Sequence, residues 1–297
     1  MVANGSDNAT CDQAAPCATL SAALATTKQL ISIDGAIGSI TDAVSINRSA
    51  TIYGVHGGTL TASGSDDVLT LDSGASTVAA FDLDISGGAA NGVSLTNGTL
   101  SLMRATVSNN AGVGISQTGG TLHLSRSTVA SNHNGIHVDG GTFDITNNFI
   151  VLNGNGSDSL YGGMWIDDAS AGSRFEFNTV VDNQIPGGAG FRSAGLLVTP
   201  VGLSSPNNIL VHNAIGTDTL LANANYVSQG GSNAPLCSVG SDEGPLMFVG
   251  GGDYHITTGS VAIDHATPTP DLNTDADGNE RPVGSAADQG AQEVQSD

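Results

Sequence analysis

Lysine is almost missing from this chain. Lys28 stands alone, and with the arginines it makes 7 cations against 28 acidic residues, a formal net charge of −21 over 297 residues. A surface this acidic repels DNA, RNA and anionic lipid, which excludes nucleic acid and membrane surfaces as partners. It also repels a polyanionic polysaccharide unless Ca²⁺ bridges the two, while neutral glycans and basic proteins stay permitted. Long apolar runs are absent as well: no stretch approaches the roughly 18–20 apolar residues that span a bilayer. Aromatic residues are scarce, and Trp165 is the only tryptophan. The start, Met1-Val2-Ala3-Asn4-Gly5, turns polar at once and holds no signal peptide. We read the chain as a mature exported domain behind a start Met, the alternative being a cytoplasmic protein. Cysteine is limited to three positions. Cys11 and Cys17, six apart around Pro16, are spaced to close a small disulfide loop in an oxidising compartment. Cys237 is then left as a buried small hydrophobe or a free thiol.

What is abundant is glycine, with 41 residues, together with Asn, Ser, Thr and Asp. They fall in a beat. Asn110, Asn132, Asn153, Asn183 and Asn213 each follow a short apolar run, at steps of 22, 21, 30 and 30 residues. Gly92, Gly114, Gly135, Gly163 and Gly195 each open a second run, at steps of 22, 21, 28 and 32. A near-constant period of about 20 residues is the mark of a solenoid whose coils cover one another. Laid over each other, the coils read TLSLMRATVSNNAGVGISQTGG (99–120) and TLHLSRSTVASNHNGIHVDGG (121–141), then TFDITNNFIVLN (142–153) and SRFEFNTVVDN (173–183). Alternation points Leu100/Leu102, Leu122/Leu124, Phe143/Ile145 and Phe175/Phe177 inward. Asn148, Asn178 and Asn208 would form an amide ladder at a turn, because Asn tolerates tight-turn backbone angles and bonds both backbone and the next Asn. Residues 18–27, with Leu20 and Leu24 four apart, predict a short helix that blocks the open N-terminal end.

The phrase Phe175-Glu176-Phe177-Asn178-Thr179-Val180 to Asn183, resumed at Gly195 to Val198, resembles the right-handed parallel β-helix of the pectin-lyase-like superfamily. The C-terminal stretch, Asp253-Tyr254-His255-Ile256, Gly259 to Asp264, Asp275 to Pro282 and Asp288 to Glu293, is similar to the closing module of bacterial secreted β-helix proteins of the choice-of-anchor type. The resemblance implies an all-β, single-stranded right-handed parallel β-helix in one domain, 1–297. Within it, 1–29 is the N-terminal cap, 30–233 the coils and 234–297 a C-terminal closing segment. It also implies a secreted or surface-displayed bacterial protein. Catalytic members of the superfamily use an Arg or Lys base with Asp-bound Ca²⁺, or three Asp with Gly-His-Gly and Arg-x-Lys. This chain has neither of the latter two motifs; Gly54-Val55-His56-Gly57 reads as a turn, and the equivalent Arg104 and Arg126 read as a solvated pair.

Function is expected where the beat lengthens. The Asn-to-Gly loop is short in two coils, then swells from Asn153 to Gly163 and from Asn183 to Gly195. Two long loops in succession would rise as a wall beside the next strand. The outward column on that strand reads Ser94, Ser116, His137, Trp165, Leu197. An exposed Trp165 and Tyr161, with His137, Asp167 and Arg192, would suit a sugar, whose ring faces stack while polar groups bind its hydroxyls; equally, Trp165 would be covered by its own loops. Asp167 and Asp168 with His137 are the candidates for acid, base or Ca²⁺-ligand roles, or else simply cap a strand end. Asn273, Asp275 and Asp277 place oxygens at alternate positions before Gly278, as in half of a Ca²⁺ loop. Gly284 stands where the closing Glu would be, and a plain polar turn is the other reading. Carbohydrate recognition or adhesion at Trp165 is the first functional expectation. A polysaccharide lyase or glycoside hydrolase in the same cleft is the second, and a spacer binding another protein the third.

Overall fold

The computed structural model describes residues 1–154, 160–187, 192–199, 203, 205–217, 225–228, 245–269 and 271–295. The chain winds as a right-handed parallel β-helix. Among the described residues the first sheet has seven strands, from Leu30–Asp34 to Arg174–Glu176. The second has eight, from Ile40–Thr41 to Ile209–Val211, and the third eight, from Val44–Ile46 to Tyr226–Ser228. Each strand pairs in parallel with its counterpart one coil on, so that Leu100, Leu122 and Phe143 stack in register, as do Leu102, Leu124 and Ile145. These and the inward Val and Ile of the other sheets fill one continuous core. Each such side chain contributes about 1.5–3 kcal/mol by leaving water.

The Asn–Gly beat is the corner between the second and third sheets. Asn109, Ser131, Leu152, Asp182 and His212 turn the chain there in left-handed conformation, with φ of 56–59°. The next residue, Asn110, Asn132, Asn153, Asn183 or Asn213, then points its amide inside. Each Nδ2 donates to the Oδ1 of the following Asn at 2.9–3.0 Å, and the ladder runs on to Asn225. Each Oδ1 also accepts the backbone N–H of the Asn one coil before, at 2.9–3.1 Å. Corner donors that no strand can satisfy are thus paired inside the protein. The glycines follow from this: a Cβ on Gly114 would lie 2.7 Å from Asn132 Nδ2, and one on Gly135 would lie 2.1 Å from Gly163 O. The expected Asn148–Asn178–Asn208 ladder is present at the opposite corner, between the first and second sheets, at 3.0 and 3.1 Å.

The N-terminal helix spans Leu20–Ala25. Thr19 Oγ1 caps it by accepting the Ala22 N–H, and Leu20 and Leu24 are buried. Cys11 and Cys17 are disulfide-bonded, with Cα atoms 4.9 Å apart. Cys237 lies outside the described residues.

Two expectations are corrected. Phe177 is buried but does not stack in the interior: it occupies a left-handed corner position, φ 55°, and its ring lies 4.3 Å beneath the Arg281 guanidinium. Of the Arg104 and Arg126 pair, Arg104 is solvent-exposed as expected and forks onto Asp82 at 2.6 and 2.7 Å, whereas Arg126 is half-buried and its Nε donates to Ala276 O. The C-terminal residues from 245 onward run along the flank of the solenoid. They cover the second sheet, where its outer face turns from Thr106/Ser108 to Phe149/Val151 and Ile209/Val211. A buried pair, Arg281 Nε to Glu293 Oε2 at 3.0 Å, pins this segment, and Arg281 Nη1 donates to Asn147 Oδ1 of the solenoid.

Candidate functional site

The outward column of the third sheet has the register read from the sequence: Ser94, Ser116, His137, Trp165 and Leu197 are successive strand partners. In-register stacking dictates how the rings lie. The imidazole of His137 stacks on the Trp165 indole, with centroids 4.5 Å apart and planes 20° from parallel. Tyr161 packs against both, at 5.7 Å from His137 and 5.6 Å from Trp165. Trp165 is half-buried, and its Nε1 donates to Thr199 Oγ1 at 3.3 Å. Leu197, its partner on the far side, is buried. The indole therefore has its faces along the column and offers solvent its edge.

Tyr161, expected at the surface, is only 6% exposed, and burial raises its hydroxyl pKa. It is held there by a bridge to Ser193 and by Asn134 Nδ2 donating to its carbonyl. Arg192, next to Ser193, donates from Nη1 to Pro186 O at 3.0 Å. The stem of the second long loop stacks on the coil that follows: Gln184–Ile185 pairs in parallel with Ala214–Ile215 over a small core of Ile185, Ala194 and Ile215. The loop tips, 155–159 and 188–191, lie outside the described residues.

Burial lowers the His137 pKa, opposed by the charges of Asp139 and Asp167, so the ring is neutral at neutral pH. Its Nε2 is buried without a hydrogen-bond partner among the described residues. Asp167 is half-buried beside Trp165. Asp168 is exposed, is the strand partner of Asp139 across a bulge, and accepts the Ala169 N–H. Asp139 was not singled out from the sequence, although alternation places it two residues after His137 on the same face. The column thus combines stacked rings with three carboxylates at one sheet end. Among the described residues no three His, Cys, Asp or Glu side chains group to hold a metal ion.

The Asn273–Asp275–Asp277 loop is a turn anchor rather than a cation loop. The buried Asp275 carboxylate accepts the N–H groups of Asp277, Asn279 and Glu293 and the Asn279 amide. Asp277 faces His255 Nε2 at 3.1 Å. With its lone pairs facing N–H donors, Asp275 has none to aim at a cation.

A second polar cluster escaped the sequence reading. On the outer face of the first sheet Arg174 forks onto Asp144 at 3.0 and 3.0 Å and reaches Asp271 of the C-terminal segment at 2.5 Å. Glu176 beside it is buried with Oε2 unpartnered among the described residues, and burial raises its pKa. Asp144 and Arg174 are strand partners one coil apart, whereas Asp271 comes from 97 residues further on, a distance that no coil repeat spans.

No family model matches the chain, and no curated protein does. Among solved structures, the crystal structure of pectate lyase Pel9A matches over 99% of this chain and 96% of that one, with a TM-score of 0.52 and 15% identity. At that identity the likeness is one of architecture. The chain shares the parallel β-helix fold of that structure.

Proposed function

We propose that this protein is an exported, secreted or surface-displayed, bacterial β-helix that recognises a carbohydrate at the His137–Trp165–Tyr161 cluster. The observation that carries the reading is the stack of rings rimmed by Asp139, Asp167 and Asp168. It joins apolar ring surface to hydrogen-bond acceptors, the combination a sugar requires. That a pectate lyase shares the fold supports the carbohydrate class. Pectate itself, a polyanion, is disfavoured by a net charge of −21. Titrating the protein with a panel of neutral oligosaccharides tests the reading through its sole indole. We expect at least one to shift Trp165 fluorescence, and His137→Ala to abolish the shift; silence across the panel with the fold intact would refute it.

A second reading, polysaccharide cleavage at the same place, is favoured by the neutral His137 between Asp139 and Asp167, since a neutral imidazole is able to take up a proton. It predicts new reducing ends or unsaturated products that vanish in His137→Ala, and binding without product would count against it.

A further inference from the structure

Six Asn–Gly pairs lie along the chain, at 4–5, 91–92, 97–98, 134–135, 153–154 and 155–156. Asn followed by Gly is chemically labile, because glycine has no side chain to shield its backbone nitrogen or to restrict its turning, and that nitrogen can close on the Asn Cγ. Closure needs a Gly N–H outside any hydrogen bond and an Asn side chain free to turn. The pair at 155–156 lies outside the described residues. At four of the other five the fold withholds these conditions. Gly5 N–H donates to Val2 O at 2.9 Å, Gly92 N–H to Val113 O at 3.0 Å, Gly135 N–H to Gly162 O at 2.8 Å and Gly154 N–H to Asn132 O at 3.1 Å. The side chains of Asn91, Asn134 and Asn153 are also held: Asn91 between Ser94 and Val113, Asn134 by Tyr161 O, and Asn153 as a rung of the inner ladder.

The exception is Asn97–Gly98, in the turn that joins the third-sheet strand Val93–Leu95 to the first-sheet strand Thr99–Met103. Asn97 is exposed, and its side chain makes one long contact, from Nδ2 to Asp72 O at 3.3 Å. The amides around it are engaged, Thr96 and Asn97 with Leu71 O and Thr99 with Ser76 O, but Gly98 N–H makes no hydrogen bond among the described residues. The corner nevertheless requires this glycine. Gly98 has φ 84°, and a Cβ on it would lie 2.6 Å from Ser73 O and 2.7 Å from Ser76 O.

We infer that Asn97 is a site of spontaneous deamidation, set by the geometry of this corner. Gly98 N gives its proton to hydroxide and attacks Asn97 Cγ. The new Cγ–N bond closes a succinimide ring, and the Cγ–Nδ2 bond breaks so that Nδ2 leaves as ammonia. Water then opens the ring at one of its two carbonyls. The product is aspartate or, where the main chain now runs through the side-chain carbon, isoaspartate. One water enters, one ammonia leaves, and nothing is oxidised or reduced. Either product adds a negative charge to an already acidic chain and loses the donor to Asp72 O. Isoaspartate also adds a backbone atom next to Gly98, whose carbonyl accepts the Thr121 N–H of the next coil at 2.8 Å, and so loosens that rung.

The test ages the full chain for weeks in warm, mildly alkaline buffer. Acid pepsin digestion and electron-transfer fragmentation then locate each exchange of –NH2 for –OH and tell isoaspartate from aspartate. Asn97 should convert at least about tenfold faster than Asn4, Asn91, Asn134 and Asn153, where a hydrogen bond must first break. In concentrated urea the five rates should converge, and in buffer the Asn97 rate should rise with pH, because the attacking nitrogen must lose its proton. Asn97→Gln, whose longer side chain closes only a larger and slower ring, should stay intact at that position. Exchange of the Thr121 N–H should quicken in the aged natural chain and not in the aged variant. Conversion of Asn97 no faster than at the other four, or an advantage that persists unchanged in urea, would overturn the site. Unchanged Thr121 exchange in a sample rich in isoaspartate would overturn the loosened rung.

Discussion

Replacing Asn132 by Ala measures what the inner ladder contributes. Asn132 is fully buried. Its Oδ1 accepts both the backbone N–H and the Nδ2 of Asn110, at 3.1 and 2.9 Å, and its Nδ2 donates to Val107 O and Asn153 Oδ1, each at 3.0 Å. Truncation leaves both Asn110 donors facing a small void inside the solenoid. A buried polar group left unpaired costs about 1–3 kcal/mol, so two of them cost about 2–6 kcal/mol, with about 4 as the central expectation. That is a large share of the ~5–15 kcal/mol that holds a typical protein folded. Urea unfolding followed by circular dichroism should show a much lower midpoint at nearly unchanged slope. Trp165 fluorescence reports on the same stack, because its strand pairs with the one that follows Asn132. The matched control is Ser131→Gly, one residue away at the left-handed corner, φ 58°. It should change stability by less than about 0.5 kcal/mol, since Gly accepts that conformation freely. If Asn132→Ala also stays within about 0.5 kcal/mol, the ladder is not what closes the coils and the reasoning fails.

Further outcomes follow from the same geometry. Gly135→Ala, whose Cβ would meet Gly163 O at 2.1 Å, should prevent soluble folding or lower the urea midpoint more than any surface substitution. Arg281→Ala leaves Glu293 buried and charged, which costs about 3–5 kcal/mol, whereas breaking the exposed Arg104–Asp82 pair costs less than about 1 kcal/mol. Hydrogen exchange across residues 275–295 should rise in the first variant and not in the second. Burial, reinforced by the Glu293 charge, pushes Asp288 up to about 6. Its folded-state pKa is raised, so its contribution is complete below about 4 and lost as pH rises through 6, by no more than about 2 kcal/mol after screening. Asp288→Asn should flatten that limb of the stability–pH curve, and an unchanged limb would show that another group titrates there. Reducing Cys11–Cys17 should loosen the loop before the helix by about 2 kcal/mol on loop-closure grounds, seen as faster exchange over residues 5–18.

How much was legible in the sequence depended on whether the information was local. Side-chain alternation and a fixed coil length decide which residues face in and which column each outward residue joins. The Leu100–Leu122–Phe143 stack, the Asn148–Asn178–Asn208 ladder and the Ser94–Ser116–His137–Trp165–Leu197 column could therefore be written down from residue spacing. The same rule failed at Phe177, where a left-handed corner interrupts alternation and turns the ring out under Arg281. It also misjudged Tyr161, which lies in a long loop where no alternation holds and is buried by contact with His137 and Trp165.

The sequence alone therefore determined the solenoid, its register, and the glycine and asparagine positions that hold the corners, because a repeat multiplies each local preference by the number of coils. Only the tertiary structure decided which outward faces stay open. The C-terminal segment has no repeat of its own, yet it covers the second sheet, draws Asp271 onto Arg174 and closes Asp275 with its own N–H groups. Those contacts join residues far apart in the chain, and their energy comes from burying apolar and charged groups that carry no periodic mark.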